Sequence, residues 1–471
     1  MNVCKRASVT ARVCLITSLF IVTGCNQNGH IPYHKGWPVT LWGSYNTWIG
    51  IISPVIADLD GDNDKELIVT IQGNPSRLVI LNSRGRIIAN TLFPYFADPR
   101  RLVSVADINN DGLKEIVIGE IGRYQPAAIL VFNNKGTLIM EWPTFFVSDD
   151  LYGAVVVEDI NQDGNAEIVF GGWCLSECPT LEIGSKLVVL DNQGNSLPGF
   201  AVMLENRQFS EVNTPAVGNL DDDANLEILV VSHANKAPVP RSTIWAFKSD
   251  GSMLWTQQVD AVLYNDPVIG DIDNDGYNEI AFSSSQRIFI LDRHGEFLLD
   301  RELIADFDTT NSPIALADLD MDGDLELVFG MDFFMYAIHH DGSIIFRINT
   351  PWLAYNPPIV GDINGDGSLD IMMNVSDGNR GDKIYAWDTQ GAVIFGFPIT
   401  IPDIAYSSPS IVDIDGDGDL ELITSSTWLA PSIHKGIIHV WDIESPVYEG
   451  STPWPIFHHD AFHTGRYDKK S

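Results

Sequence analysis

Short apolar runs rich in Val, Ile and Leu alternate along this chain with polar turns rich in Gly, Asn and Asp. In the first unit the runs are Ser53–Ala57, Leu67–Thr70, Leu78–Leu81 and Ile87–Leu92, and the turn after the third run closes on Gly85. Apolar, β-branched runs of this length that end at Gly, Asn or Asp predict strands joined by tight turns. No convincing amphipathic helix stands out in the sequence. The pattern therefore predicts an all-β fold.

The four-run unit recurs eight times, and each copy carries one acidic segment between its first and second runs. The acidic segments start 44 to 60 residues apart. A fixed pattern at such a period indicates a repeat architecture, and four antiparallel strands per repeat are typical of a propeller blade. Eight segments predict an eight-bladed β-propeller, with seven blades as the alternative.

The acidic segments share the pattern D-x-[DN]-x-D-G-x-x-[DE], and we number them loops one to eight in chain order. Positions 1, 3, 5, 7 and 9 of each loop are the candidate metal ligands. They are Asp58, Asp60, Asp62, Asp64 and Glu66; Asp107, Asn109, Asp111, Leu113 and Glu115; Asp159, Asn161, Asp163, Asn165 and Glu167; Asn219, Asp221, Asp223, Asn225 and Glu227; Asp271, Asp273, Asp275, Tyr277 and Glu279; Asp318, Asp320, Asp322, Asp324 and Glu326; Asp362, Asn364, Asp366, Ser368 and Asp370; Asp413, Asp415, Asp417, Asp419 and Glu421.

Clustered carboxylates repel one another unless a cation lies among them. Ca²⁺ takes about six to eight oxygen ligands from a flexible cage, whereas Mg²⁺ prefers a smaller octahedral shell and keeps its waters. Side chains at positions 1, 3 and 5 converge only if the backbone coils tightly, and Gly at position 6 allows that turn. Position 7 can then offer its carbonyl, and the acid at position 9 can close the cage with one or two oxygens. The pattern predicts up to eight structural Ca²⁺ ions.

Other interpretations of the loops fit less well. An EF-hand loop has twelve residues, ends in Glu at position 12 and lies between helices. Solvated acidic turns without metal would suit one isolated copy, but eight copies in the same context favour metal. Loop four departs furthest, because it starts with Asn219 and has Ala224 at position 6, where six loops have Gly and loop one has Asn63. Since Ala resists positive φ more than Asn does, loop four is expected to be the weakest site.

The charge balance agrees with metal loading. The formal net charge is −35, and 28 of the 63 acidic residues stand at positions 1, 3, 5 and 9 of the loops. Eight divalent ions would offset close to half of the imbalance. An acidic chain argues against nucleic acid as a partner, since its recognition needs basic patches. We expect a monomer.

Residues 1–24 have the features of an export signal. Three basic residues precede the apolar run Val13–Val22, which is too short to span a bilayer. The run leads into Val22-Thr23-Gly24-Cys25, which resembles a bacterial lipobox. The resemblance implies cleavage after Gly24 and lipid on Cys25, hence a lipid-anchored protein of the cell envelope, at the outer membrane in a Gram-negative cell. An ordinary secretory signal is the alternative.

Besides Cys25, two cysteines remain after such processing. Cys174 and Cys178 lie in an insertion of the longest repeat. An oxidising compartment favours a disulfide between them. A C-x3-C metal site is the alternative, although no further Cys or His lies nearby in the sequence.

Ring closure also has a sequence signal. The eighth repeat has a third run at Ile437–Trp441 but no clear fourth run. The segment Gly36–Leu41 (GWPVTL) matches the fourth run of repeat seven, Gly396–Ile401 (GFPITI), nearly position by position. We therefore expect the N-terminal segment to supply the outer strand of the last blade, with Trp454–Phe457 as the competing candidate. Closure of this kind removes exposed sheet edges.

These features predict the organisation of the whole chain. A signal peptide at 1–24 and a lipidated linker at 25–35 precede the propeller at 36–450. A tail at 451–471 docks on the propeller.

The acidic loops and the strand pattern resemble the FG-GAP/VCBS repeat family, whose propeller is shared with the N-terminal region of integrin α-subunits. The resemblance covers about residues 36–450 and implies Ca²⁺ at the loops, on one rim of the propeller. The chain departs from the family pattern at Asn63, Asn219 and Ala224, and two of these departures fall in loop four. The third-run turns, such as 384–391, also resemble quinoprotein-type propeller repeats.

The sequence contains no G-x-S-x-G, P-loop, H-E-x-x-H or dinucleotide motif. Outside the loops, His458, His459, Asp460 and His463 could ligate a transition metal or transfer protons, but a docked tail is the favoured interpretation. We expect a binding, adhesion or scaffold module for a protein or glycan ligand. The alternatives are a polysaccharide-lyase-like enzyme and a quinoprotein-like enzyme with its cofactor in the channel, since a propeller alone does not define function.

Overall fold

The computed structural model describes residues 31–42, 53–71, 75–93, 103–120, 128–143, 153–174, 184–200, 202–205, 210–221, 223–234, 241–303, 312–376, 381–405, 407–430 and 433–467. The predicted signal peptide and Cys25 lie outside these residues, as do Cys178 and the side chain of Cys174. A helix with the length and apolarity to cross a bilayer is not found within the described residues.

The described residues form β-strands, which we number in chain order. They are β1 Val39–Trp42, β2 Val55–Ala57, β3 Glu66–Ile71, β4 Ser76–Leu81, β5 Ile87–Phe93, β6 Ser104–Ala106, β7 Glu115–Glu120, β8 Ala128–Phe132, β9 Leu138–Pro143, β10 Val156–Glu158, β11 Glu167–Cys174, β12 Gly184–Leu190, β13 Val202–Glu205, β14 Ser210–Val212, β15 Ala216–Gly218, β16 Glu227–Ala234, β17 Arg241–Phe247, β18 Met253–Val259, β19 Val268–Gly270, β20 Glu279–Ser283, β21 Arg287–Leu291, β22 Phe297–Glu302, β23 Ala315–Ala317, β24 Glu326–Met331, β25 Phe334–Ile338, β26 Ile344–Asn349, β27 Ile359–Gly361, β28 Asp370–Val375, β29 Lys383–Trp387, β30 Ile399–Thr400, β31 Ser410–Val412, β32 Asp419–Ala430 and β33 Ile433–Pro446.

These strands form an eight-bladed propeller, which confirms the predicted fold and blade number. Blades one to seven are β2–β5, β6–β9, β10–β13, β14–β18, β19–β22, β23–β26 and β27–β30, each an antiparallel sheet that runs outward from a short inner strand. In blade four the inner strand is split, and β14 and β15 both pair with β16.

Blade eight confirms the prediction of ring closure. Its order is β31–β32–β33–β1, and Val39 to Trp42 of β1 pair with Ile438 to Lys435 of β33. The competing segment around Trp454 instead bonds to an inner strand, through the bridge between Val360 and Trp454. The two matching segments also share a backbone detail, because the peptide bonds before Pro38 and Pro398 are both cis.

The hydrophobic core lies between neighbouring blades. Ile68 and Ile80 of blade one pack with Val105 and Leu130 of blade two in one buried cluster. Strands in the middle of a blade are covered on both faces, so β3 is buried along its whole length, whereas the outer strand β5 alternates between exposed and half-buried positions. This explains why the inner runs read as continuous apolar segments rather than alternating ones.

The C-terminal residues 451–467 follow the inner edges of the blades. Trp454 and Pro455 accept hydrogen bonds from the inner-strand N–H groups of blades seven and eight, at 3.3 Å or less. Ala461, Phe462, Thr464 and Gly465 do the same for blades two to five. The six donors are Val105, Val157, Val217, Ile269, Val360 and Ile411. The tail therefore lines the central channel and satisfies backbone donors at the inner edges of six blades.

Candidate metal-binding loops on one face of the propeller

Each acidic loop joins the inner strand of a blade to the second strand. In an antiparallel sheet, this end also carries the turn between the third and fourth strands. A cross-link between blades shows the proximity, since Asn192 Nδ2 in the blade-three turn donates to the Ile108 carbonyl of loop two at 3.2 Å. One face of the ring therefore collects the acidic loops, which we call the acidic rim.

Seven of the eight loops share the coiled backbone that the sequence predicts. Position 6 has a positive φ, between 72° at Asn63 and 105° at Gly323. Its N–H donates to the position-1 carboxylate in six of these loops, as at Gly112 and Asp107, 2.9 Å apart. Ala224 of loop four does not share the positive φ. Loop four is thus the distorted copy, as its sequence predicts.

The acid at position 9 is held in one arrangement in all eight loops. One of its oxygens accepts the backbone N–H of loop position 2, between 2.7 and 3.1 Å. Every position-9 residue is buried, from 0% exposed at Glu227 to 6% at Glu66. The loop backbone thus engages one oxygen of each acid, and in loops two and three the other oxygen accepts the side-chain amide of Asn109 or Asn161, at 3.1 and 3.2 Å.

Burial raises the pKa of the position-9 acids, and the other loop carboxylates add to the effect. The pKa rises to about 7 for Glu66, Glu167, Glu227, Glu326 and Asp370, and to about 8 for Glu279 and Glu421; that of Glu115 is also raised. A nearby cation would favour the ionised form of these groups. A cation bound at these loops would therefore displace protons from the position-9 acids.

Positions 5 and 7 form a second recurring contact. The position-7 N–H donates to the position-5 carboxylate in all eight loops, between 2.8 and 3.2 Å. The position-5 N–H in turn donates to the side-chain oxygen at position 3 in six loops. These bonds hold the acids at fixed angles and involve one oxygen of each, which is the preorganisation that an oxygen-ligand cage requires.

Several buried carboxylate oxygens in the loops have no hydrogen-bond partner. They are Glu227 Oε1, Asp318 Oδ1, Asp324 Oδ1, Asp370 Oδ1 and Asp415 Oδ1. A buried carboxylate oxygen is costly unless a proton or a cation satisfies it. In loop one, Asp58, Asp60 and Asp62 also offer oxygens that all lie within 4.8 Å of one another. The donor set of loop one is all oxygen, which suits Ca²⁺.

Loop four contains a cation of its own. Lys248 Nζ lies 2.5 Å from Asp221 Oδ2 and 3.7 Å from Asp223 Oδ2. Its hydrogen bond lowers the pKa of Asp221 and raises that of Lys248. Asn219 turns its amide donor into the loop and bonds the Asp223 carbonyl at 2.7 Å. We infer that the Lys248 ammonium takes the place of the metal in loop four.

Restoring loop four should create a further calcium site. In the triple variant Asn219→Asp, Ala224→Gly, Lys248→Asn, position 248 carries the residue type of Asn82 and Asn133 in blades one and two. We expect native mass spectrometry to show one more bound Ca²⁺ than in the wild type. The double variant Asn219→Asp, Ala224→Gly keeps the lysine and should gain none. An equal gain in both variants would contradict the role of Lys248.

Lys248 was not among the candidate residues from the sequence, but the residue type at its position in the repeat distinguishes blade four from the other blades. It is the first residue after the third strand, and the equivalent residues in the other six blades that end this strand at the turn are Asn82, Asn133, Asp191, Asp292, His339 and Asp388. In blade eight the third strand continues to Pro446, and Asp442 pairs with Glu421 inside it. A basic residue among amides, acids and one histidine at this repeat position marks loop four as exceptional.

The histidines of the tail make contacts that pack the tail in the channel. His458 Nδ1 contacts the His463 carbonyl at 2.6 Å, and His463 Nε2 contacts the Val103 carbonyl at 3.1 Å. Burial lowers the pKa of His463 to about 4. Burial alone would raise the pKa of Asp460, but the nearby His459 ring, 3.5 Å away, and hydrogen bonds from Thr464 lower it to about 2. These contacts hold the tail in the channel.

Comparison with known proteins agrees with this geometry. Residues 58–118, 107–170 and 343–424 match the FG-GAP-like repeat family. No curated protein matches the chain.

Solved structures with a similar fold include a rhamnogalacturonan lyase, YesW, with a TM-score of 0.52, 12% identity, and coverage of 90% of this chain and 95% of that one. BamB from Moraxella catarrhalis has a TM-score of 0.50 and 14% identity, over 86% of this chain and 100% of that one. The V. cholerae biofilm matrix protein Bap1 has a TM-score of 0.47 and 12% identity, over 93% of this chain and 99% of that one. At such identities the likeness concerns the fold alone. The chain is thus an eight-bladed propeller in which residues 58–118, 107–170 and 343–424 match FG-GAP-like repeats.

Proposed function

We propose that this chain is a calcium-stabilised binding module of the cell envelope. In this proposal the acidic rim holds structural Ca²⁺, and the opposite face of the propeller meets a protein or glycan ligand. The observation that carries it is the recurring position-9 acid, which is buried in all eight loops with one oxygen held by the backbone. A catalytic metal would need one exceptional site, whereas eight equivalent positions support a structural role.

The residues at positions 1, 3, 5, 7 and 9 would hold the ions, in every loop but the fourth. Bound Ca²⁺ would supply the positive charge that the loop carboxylates lack. The backbone N–H groups already orient one oxygen of each acid, so little reorganisation is required on binding.

The channel is a poor place for a ligand, because the tail lines it. Trp454 is 1% exposed, and residues 454–465 occupy the inner edges of six blades. This argument also weighs against a quinoprotein-type cofactor in the channel. It leaves the face opposite the acidic rim as the ligand surface.

That face presents exposed aromatic side chains among the described residues. Trp42, Tyr264 and Trp352 lie at or beyond the ends of outer strands, away from the acidic rim, and are 59%, 48% and 43% exposed. Trp352 also meets Phe333 edge to face, with ring centroids 6.1 Å apart. Tyr and Trp present a large rigid apolar surface with a polar tip, which suits protein surfaces and the apolar faces of sugars.

A ligand screen with matched variants tests the proposal. The purified protein is applied to glycan and envelope-protein arrays with Ca²⁺ and with chelator. We expect a ligand whose binding falls at least tenfold in Tyr264→Ala, Trp352→Ala. The control is Phe395→Ala, since Phe395 is 81% exposed in a turn on the acidic-rim side. An equal loss of ligand binding in the control variant, or ligand binding only to the acidic-rim face, would contradict the proposed ligand surface.

An enzymatic role is decided by turnover. The likeness to a rhamnogalacturonan lyase extends to the fold alone. We expect acidic polysaccharides to remain intact when they are incubated with the Ca²⁺-loaded protein. Cleavage of a polysaccharide would contradict a role in binding alone.

The cellular location is part of the proposal. The lipobox-like segment 22–25 supports a lipid anchor on Cys25 and attachment to a membrane of the envelope. Metabolic lipid labelling should be present in the wild type and absent in Cys25→Ala. Labelling that persists in the variant would place the anchor elsewhere.

A further inference from the structure

The first residue after the third strand of blades one to seven has one role in five blades and another role in two. In five blades the side-chain oxygen of this residue accepts N–H groups that lie two or four residues further along the same turn. The five accepting residues are Asn82, Asn133, Asp191, Asp292 and Asp388. In blades four and six, the side chains of Asp250 and Asp341 accept an N–H group of the turn instead. Lys248 and His339 are thereby released to face the acidic loop of their own blade.

His339 brings an imidazole into loop six. Its Nδ1 lies 3.0 Å from Glu326 Oε1, and Glu326 is fully buried. His339, Asp320 and Glu326 each offer one ligand atom, and these atoms all lie within 4.8 Å of one another. Two further buried oxygens of this loop, Asp318 Oδ1 and Asp324 Oδ1, have no hydrogen-bond partner. The loop thus combines a nitrogen donor with unsatisfied carboxylates.

His34 brings an imidazole into loop eight from the N-terminal segment. Its Nδ1 lies 2.6 Å from Asp442 Oδ1, and its Nε2 lies 3.9 Å from Asp415 Oδ2. His34, Glu421 and Asp442 form a second set of ligand atoms within 4.8 Å of one another. Asp415 Oδ1 is buried without a partner.

Imidazole changes which metal a site prefers. Ca²⁺ takes oxygen ligands, whereas Zn²⁺ and its neighbours accept imidazole nitrogen together with carboxylate oxygen. Three protein ligands with an open fourth position describe many zinc sites. One imidazole and two carboxylates meet that description in both loops.

We propose that loops six and eight bind a transition metal of the Zn²⁺ class, each through one imidazole and two carboxylates. The ligands are His339, Asp320 and Glu326 in loop six, and His34, Glu421 and Asp442 in loop eight. The inference rests on the proposed function only in taking the loops to be ion sites. In loop eight the metal would join the N-terminal segment to the last blade.

The test uses the full protein, stripped with chelator and then saturated with Ca²⁺. Co²⁺ is added as a spectroscopic probe, and bound Zn²⁺ is counted by elemental analysis after gel filtration. We expect Co²⁺ absorption bands in the presence of excess Ca²⁺, and two Zn²⁺ ions per chain that abolish them. Displacement of the Co²⁺ by Ca²⁺, or the absence of bands, would overturn the proposal.

Asparagine variants locate the two ions. His339→Asn gives blade six the residue type of Asn82 and Asn133 and should bind one Zn²⁺; His34→Asn should also bind one, and the double variant none. His294→Asn is the control, because His294 is exposed on the turn of blade five, and it should bind two. Two ions retained in the double variant would refute the assignment. If His34→Asn fails to fold, His339→Asn still decides loop six.

The outcomes for zinc and for calcium are separate. Loss of Zn²⁺ binding in the histidine variants with unchanged Ca²⁺ loading supports the inference. Calcium that fails to stabilise the protein would defeat the proposed function, and the Co²⁺ bands would still report on the two histidine-bearing loops.

Discussion

Chelation at pH 8 is expected to lower the melting temperature of the purified protein by about 20 °C. An ion at about 100-fold above its Kd stabilises the folded chain by about 2.7 kcal/mol, so seven ions contribute about 19 kcal/mol. The unfolding entropy is about 2.1 cal/mol/K per residue, or about 0.9 kcal/mol/K for about 440 residues. The ratio of these two quantities is the expected shift. Differential scanning calorimetry with excess Ca²⁺ or with chelator measures it.

The size of the shift should depend on pH. Without metal, seven of the eight position-9 acids have a folded-state pKa of about 7 to 8, above the ordinary 4.5 of glutamate and 3.8 of aspartate, and the pKa of Glu115 is also raised. The folded chain then holds more protons than the unfolded chain between about pH 4.5 and 8, so the metal-free protein loses stability as the pH rises through this window. Calcium displaces those protons and stabilises most where the acids would otherwise repel one another. The gap between the loaded and chelated proteins should be largest at pH 8 and smallest near pH 5.

Two variants separate this explanation from a general charge effect. Glu279→Gln keeps an oxygen for the Ile272 N–H and removes the buried charge, so it should raise the chelated melting temperature at pH 8 and cost one Ca²⁺. Asp260→Asn removes a charge at an exposed position and should change neither. A chelated protein that is more stable at pH 8 than at pH 5 would contradict the argument.

Removal of the tail is expected to have the second largest effect. Truncation after Pro453 deletes the partners of six inner-strand N–H groups, each worth about 1 kcal/mol. It also removes Trp454, which is 1% exposed, and loss of a buried Trp costs about 3–5 kcal/mol. The sum of about 10 kcal/mol corresponds to a fall of about 10 °C in melting temperature on the entropy scale above. Trp454→Ala alone should lower it by about 4 °C.

The control is a truncation after Tyr467, which spares every hydrogen bond described for the tail. Its melting temperature should match that of the full chain. The truncation after Pro453 should also expose the inner strands to limited proteolysis. If the two truncated proteins had the same melting temperature, the tail would occupy the channel without stabilising the fold.

Much of the fold could be predicted because the signals are local and repeated. Each loop needs its acids and its position-6 residue within nine positions, and each blade needs four apolar runs in order. Closure by β1 was also accessible, since Gly36–Leu41 and Gly396–Ile401 serve equivalent edges in neighbouring blades. Equivalent environments select similar residues, so comparison within one chain was sufficient.

The features that distinguish one loop from another were not accessible in this way. Lys248 stands 21 residues beyond the end of loop four, and His34 stands 379 residues before the start of loop eight. Strand pairing within blade four brings Lys248 beside its loop, and only closure of the ring by the N-terminal segment brings His34 beside loop eight. The path of the tail through the channel has the same origin, since a segment without regular periodicity bonds to whatever backbone donors the inner strands leave unpaired. Local periodicity thus encodes the blades and their acidic loops, while side-chain contacts within each folded blade and across the closed ring set the differences between the loops and place the tail in the channel.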